Sequence, residues 1–301
     1  LKFQAHQAFR AMILFAFFAF LIKLHMSGDI LKYVNPKYNF LSQTAAYLFL
    51  FLFFIQCTRI WTRKNKHGEH CYHKCNHDHG DSHSPVKKRI AYSILTFPLL
   101  TGFFLPAKLM DASMASKKGI ILNGTVGLQK EAKSETGTPP SLYAQEEKIA
   151  IDHEVAVDRK EVKKEAYDEK MKQLENAEVI DMNEEVFDPY YGQISENPEK
   201  YKGRTLKMKG FVYKEKGFQP NQFAMTRFLI THCVADATSI GFLTEFEKAQ
   251  TLQQDTWLEI EGTLELTTYN GWEMPLIKVN SWKVIKEPKE PYVYPIWIKI
   301  L

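Results

Sequence analysis

The chain has 301 residues, 45% of them hydrophobic, and a formal net charge of +4. That length suggests about two folded units, and so small a charge gives no electrostatic footprint for nucleic acid. Four cysteines, Cys57, Cys71, Cys75 and Cys233, are split between an apolar run, a His-rich loop and the polar half, which argues against a disulfide framework.

Residues 11–22, AMILFAFFAFLI, are uninterrupted, but twelve residues are too few to cross a bilayer. A spanning helix over about 9–31 takes in Lys23, which snorkels to the interface, and puts Arg10 at the inner end. A secretory signal peptide is the rival reading; no small-x-small cleavage site follows Leu24. The connection SGDILKYVNPKYNF, residues 27–40, suits a turn at the outer surface. The second run, AAYLFLFLFFIQC, predicts a span over about 44–61 with Tyr47 and Trp61 as interfacial anchors. The third, Ile90–Ala107, holds eighteen uncharged residues behind Lys87-Lys88-Arg89. Its Pro98 and Gly102 are tolerated in membrane helices; the alternative is a buried core helix. Three spans make residues 1–110 a multi-pass domain of the plasma membrane. Arg59, Arg63, Lys64, Lys66 and Lys87–Arg89 then all fall inside, as the positive-inside tendency asks. The N-terminus is expected to be cytoplasmic and everything after Lys108 extracellular.

Between the second and third runs, the cytoplasmic loop 63–89 contains HGEHCYHKCNHDHGDSH. His67, His70, Cys71, His73, Cys75, His77, His79 and His83 are borderline-to-soft donors suited to Zn²⁺, Ni²⁺ or Cu ions. Their spacing matches no fixed finger. The expectation is a flexible chelating loop, against the alternative of a solvated loop enriched in His by accident.

Residues 111–178 read as a charged tether. SETGTPPS, residues 134–141, has linker composition. DRKEVKKEAYDEKMKQLENA, residues 158–177, reads as a solvated helix, because Val162, Ala166, Met171 and Leu174 are sparse. Residues 179–301 form the last unit. A short helix closes at Asn197-Pro198, and strand signals follow at 204–213, 225–236, 239–245, 255–266 and 273–285. Leu258 and Ile260 alternate with Trp257, Glu259 and Glu261. Gly210 and Gly262 fall where a small barrel needs bends, and Asn270-Gly271 marks a hairpin. The fold class expected is a membrane α-helical region of three transmembrane helices plus an all-β, OB-like small barrel at the C-terminus, with a small sandwich as the alternative.

Within that unit, Thr231-His232-Cys233-x-x-Asp236 sets an imidazole, a thiol and a carboxylate close in sequence. On a strand, His232 and Cys233 point to opposite faces, which weakens a Cys/His nucleophile. A buried small Cys with an Asp turn at the strand end is the bland reading; a ligand or metal contact by His232, Cys233 and Asp236 is the other. No Ser/His/Asp set or paired carboxylate converges, so no enzyme is expected. Aromatic residues such as Phe211 and Phe228 fill the core on this reading and do not stack on nucleic acid. The apolar tail EPYVYPIWIKIL, residues 290–301, packs on the barrel, touches the membrane or engages a partner; composition does not choose.

SGDILKYVNPKYNF, NPEKYKGRTLKMKGFVY, NQFAMTRFLITHCVADA, DTWLEIEGTLE, TTYNG and EPKEPYVYP together resemble the YcgQ-like family, bacterial membrane proteins described as subunits of a two-component permease complex. The resemblance spans the membrane region and the terminal unit and matches the tether poorly. It implies a larger polytopic permease as partner, beside the lipid bilayer itself. Where the family pattern has Cys, this chain has His232; as a ligand set the pair tolerates that change, as a redox pair it does not. The His/Cys loop is not carried over from the family.

The expected function is thus an accessory, membrane-anchored subunit of a transport complex, its outer β domain recruiting substrate or gating the partner. A metal-binding or metal-sensing membrane protein using residues 67–83 is the alternative, and a cell-envelope enzyme ranks third.

Overall fold

In the computed structural model, residues 2–62, 85–105, 108–122, 162–269 and 271–299 are described. The chain divides into two compact units, residues 1–108 and 109–301.

The first unit begins with β1 (Lys2–Phe3), followed by α1 (Ala5–Ser27), α2 (Asn39–Thr58), β2 (Trp61–Thr62) and α3 (Pro85–Phe104). Gly28 ends α1 in the left-handed conformation at φ +77°, where a side chain is strained. The helix directions follow from their contacts. Gln7 meets Gln56, Phe15 meets Phe53, Phe17 stacks on Phe49 and His25 Nε2 lies 3.0 Å from Ser42 Oγ, so α1 and α2 are antiparallel. Phe9 packs on Tyr92 and Phe20 on Phe103, so α1 and α3 are parallel. Gly102 admits that approach, since a Cβ there would sit 2.6 Å from the Phe20 ring. Pairing of β1 with β2 ties the start of α1 to the end of α2. Two basic side chains of α1 bond to α3: Arg10 Nε donates to Tyr92 Oη at 3.1 Å, and Lys23 Nζ to the Phe103 carbonyl at 3.1 Å. Large apolar side chains face outward, Phe97 at 68% and Phe51 at 60% exposure among them. Two of these helices, α1 and the Pro36–Thr58 segment containing α2, are long and apolar enough to cross a membrane. The apolar part of α3 is shorter, Ile90–Phe104.

The second unit contains α4 (Ala112–Lys118), β3 (Ile120–Ile121), β4 (Val162–Lys163), α5 (Lys164–Asn176), β5 (Val179–Met182), α6 (Phe187–Glu196) and α7 (Pro198–Tyr201). It continues with β6 (Thr205–Tyr213), β7 (Gln222–Leu229), β8 (Thr238–Glu245), β9 (Trp257–Tyr269), β10 (Trp272–Val284), β11 (Tyr292–Val293) and β12 (Ile298–Lys299). Its sheet is mixed. Antiparallel pairs β6–β7, β7–β8, β6–β9 and β9–β10 are joined by the parallel pair β8–β10, so the pairings return to the strand they started from. β5, β3 and β11 add parallel edges to β6, β8 and β7.

Several sequence expectations change here. The unit is not all-β, because α4 to α7 pack within it. Nor are residues 111–178 wholly a tether: α4, β3 and α5 belong to the second unit, with Ala115 and Leu174 at 0% exposure. Met171 and Leu174 lie one turn apart and suffice for one buried stripe. Residues 123–161, including 134–141, lie outside the described residues. The predicted strand 225–236 starts earlier, at Gln222, and stops at Leu229, where its pairing with β8 ends at Thr238. The tail packs within its own unit, β11 on β7 and β12 on β4.

One apolar cluster fills the space enclosed by the strands, with Leu206, Met225, Phe242, Leu258 and Ile277, and is closed by Leu174, Phe187 and Ile194 of the helices. A second, on the other side of β6, β7 and β8, joins Ala112 and Ala115 of α4 to Phe211, Phe228, Leu243 and Tyr292. β7 is therefore buried on both faces.

Candidate functional site

Beyond Leu229 the chain bends and enters a single 3-10 turn, Val234–Asp236. The Asp236 carboxylate is the hub. It accepts the His232 amide at 2.8 Å, the Cys233 amide at 3.3 Å and the His232 ring nitrogen Nδ1 at 2.8 Å. In return, the Asp236 amide donates to the Cys233 carbonyl at 3.0 Å. A carboxylate can only accept, so Nδ1 carries the proton and the ring's lone pair in the neutral form is on Nε2. A third pin comes from α4: Lys118 Nζ donates to the carbonyls of Val234, Ala235 and Ala237 at 3.2, 2.9 and 3.0 Å.

The strand expected through His232 and Cys233 ends at Leu229, so the two residues lie in a turn, where the His232 ring meets the Asp236 carboxylate. Cys233 is also not a buried core thiol; it is half-buried, and the His232 side chain is 60% exposed. The arrangement presents an imidazole–carboxylate pair beside a thiol on a firmly held turn. Among the described residues no group of three or more His, Cys, Asp or Glu is disposed to hold a metal ion. His67, His70, Cys71, His73, Cys75, His77, His79 and His83 lie outside the described residues.

Sequence reasoning missed two cations. Lys118 looked like tether and is a brace. Arg227 lies in an apolar strand, FAMTRFL, and is fully buried. Its guanidinium donates to the carbonyls of Pro291 (3.1 Å), Lys209 (3.3 Å) and Glu290 (2.8 Å) and pairs with Glu184 Oε1 at 3.5 Å. It also lies over the rings of Trp257 and Phe187. Burial pushes its pKa down, and Glu184 pushes it back. A charge interrupting an apolar strand was the available signal.

On the solvated side of β6, β9 and β10, Lys207–Glu261 (3.2 Å), Lys283–Glu259 (3.1 Å) and Lys278–Glu265 (2.8 Å) form cross-strand pairs. Four of these side chains line a shallow pocket with Ser281 and Trp282. Each charge there is compensated, so the face has no basic stripe for a polyanion.

Outward-facing apolar helices with inward polar pairs, joined to a mixed-sheet unit, define a membrane-associated protein with an appended β-rich domain. The chain belongs to the DUF1980 family: residues 9–121 match the DUF1980 N-terminal domain and residues 157–295 the DUF1980 C-terminal domain. It is 32% identical over 300 residues to UPF0703 protein YcgQ of Bacillus subtilis (strain 168), covering 95% of this chain and 99% of that one. It is 24% identical over 294 residues, 96% and 99% of the two chains, to a Streptococcus mutans serotype c (strain ATCC 700610 / UA159) protein named "Putative two-component membrane permease complex subunit".

Proposed function

We propose that this chain is an accessory, non-catalytic subunit of a two-component permease complex in the plasma membrane, partnered by a polytopic permease. Helices α1, α2 and α3 all span, the N-terminus is cytoplasmic, and the β-rich unit is extracellular, where it recruits substrate or gates the partner. The ring β6-β7-β8-β10-β9 is read as an OB-like barrel, a scaffold for many binding functions. The name of the streptococcal relative, matched over nearly the full length of both chains, carries the permease reading. The apolar outer surface of the helices supports membrane insertion.

Affinity capture of the tagged full chain from detergent-extracted native membranes tests it. A polytopic membrane protein should co-purify in fixed ratio; a chain recovered alone under several mild detergents overturns the reading. The donor density of 67–83 favours a second role, binding Zn²⁺ or a similar ion at His67, His70, Cys71, His73, Cys75, His77, His79 and His83. Calorimetric titration of a 63–89 peptide with Zn²⁺ should give heat that a chelator competes away; absence of both removes that role.

A further inference from the structure

The end of β10 is bare along one edge. β9 pairs with it as far as Val284, whereas β8 pairs with it only over Leu276–Lys278. Among the described residues no strand pairs with the other edge of 279–284. Elsewhere short strands cover the sheet: β5 lies on β6, β3 on β8 and β11 on β7. The register shows which groups face the gap. The Ile285 amide donates to the Trp257 carbonyl of β9, and main-chain groups alternate in direction along an antiparallel strand. Trp282 and Val284 therefore point their N–H and C=O away from β9, into the open edge. Their partners across the ladder, Ile260 and Leu258, are buried in the core, yet Trp282 and Val284 are 37% and 60% exposed. Phe246, just past the end of β8, meets the Trp282 ring edge-to-face. An edge with apolar side chains and unpaired main-chain groups is a template for another strand.

We propose that this edge pairs with the same edge of a second copy of the chain, antiparallel about a two-fold axis at Trp282. Whatever fills the gap has to supply alternating main-chain donors and acceptors, so it is an extended polypeptide. The strand's own sequence suits that role. The axis sets Trp282 opposite Trp282 of the second copy, each amide donating to the other's carbonyl, and Val284 opposite Asn280. Ser281 falls opposite Lys283, so no like charges meet across the ladder, and Lys283 is already held by Glu259. The two indoles and the two Phe246 rings make an apolar centre, with Asn280, Ser281 and Lys283 as a polar rim. A two-fold contact uses the same patch on both copies, so it closes on itself and stops at a dimer. The proposal goes beyond the permease reading and does not rest on it.

The full chain, purified alone in mild detergent, tests this by light scattering and by cross-linking. Its protein mass should be twice 35.0 kDa. Val284→Pro removes an amide that faces the open edge and none that bonds β9, a place where an edge strand accepts proline. It should weaken dimerisation at least about tenfold, with the thermal transition close to the parent's. Trp282→Asp should do the same by setting two carboxylates opposite each other. With all four native cysteines changed to Ser, Trp282→Cys should oxidise to a linked dimer, because the paired Cα atoms lie about 5.5 Å apart, within disulfide reach. Lys283→Cys should stay unlinked, because it faces Ser281 and lies about 7–8 Å from its own counterpart. A monomeric parent overturns the proposal. So does a dimer whose affinity both edge variants leave unchanged, or one that links through position 283 and not 282. Should Val284→Pro lose folding, Trp282→Asp and the linking pattern still decide.

Discussion

Arg227 shows how one side chain can join segments that are distant in sequence. Its guanidinium touches the carbonyls of Glu290 and Pro291 near the C-terminus, Lys209 on β6 and the Glu184 carboxylate ahead of α6. Arg suits this because its planar fork offers five donors and stacks on rings, which lysine cannot do. Removing it leaves buried carbonyls without a donor and a gap between Phe187 and Trp257. Arg227→Ala should cost roughly 3–5 kcal/mol, read as a lowered midpoint in denaturant. Glu184→Gln should cost about 1 kcal/mol or less, because Glu184 is partly exposed and water screens its charge. Equal losses in the two variants would shift the weight from the carbonyl bonds to the ion pair. Surface pairs behave differently. The Lys200 hydrogen bond lowers the Glu175 pKa, and Glu175 in turn raises that of Lys200. A lowered carboxylate pKa stabilises above the unfolded value and is lost as pH falls through the folded one. A raised lysine pKa stabilises below its unfolded value and is lost as pH rises through its folded one. Thermal midpoints of the parent and Glu175→Gln should therefore differ slightly near neutrality and converge in the acid range. A gap that widens in acid would contradict this.

Secondary-structure elements here owe their places to close backbone approach and to a few buried anchors. A Cβ on Gly241 would lie 2.1 Å from the Met225 carbonyl oxygen, and one on Gly210 would lie 2.7 Å from that of Thr226. Both partners are backbone and cannot swing aside, so Gly241→Ala should destabilise by about 3 kcal/mol or more, measured by chemical unfolding. Leu174→Ala should cost roughly 2–5 kcal/mol, since Leu174 anchors α5 in the core; a neutral result would return α5 to the status of a solvated stalk. The same physics explains what could be read from sequence. β9 alternates buried Leu258, Ile260 and Leu264 with outward charges, and period two was plain. The Asn270-Gly271 hairpin was equally legible, Tyr269 pairing with Trp272 across it. β7 resisted because α4 and the C-terminal segment bury its second face, erasing the alternation that marks a strand's edge. Strands of two residues, such as β3 and β11, contain too little pattern to detect. A turn at Asp236 was legible, but not its reach back to His232, which side chain–backbone hydrogen bonds set and no periodicity encodes.

At the scale of the whole molecule, everything about orientation depends on whether α3 crosses the bilayer. Its apolar stretch, Ile90–Phe104, is fifteen residues long, about 22 Å of helix against a hydrocarbon core of about 30 Å. Taken alone that is short. Its neighbour makes the same compromise: α1 reaches α3 through Arg10 at one end and Lys23 at the other, about 20 Å apart along the helix. Two parallel helices thus bracket an apolar layer of similar thickness with polar contacts, which a locally thinned bilayer and snorkelling side chains would accommodate. On the proposed topology, with α2 antiparallel between them in sequence, three crossings would put the start of α1 and the basic residues flanking the second loop on one side and Lys108 on the other. If α3 lay in the interface, the second unit would stay with the basic residues in the cytoplasm. A membrane-impermeant maleimide added to intact cells distinguishes the two, in a chain whose other cysteines are changed to Ser. Half-buried Cys233 should be modified before lysis in the three-crossing arrangement. Modification that waits for permeabilisation, with the same reagent labelling a control cysteine placed after Gly28 in intact cells, would leave α3 uncrossed and remove the outer unit from the permease reading.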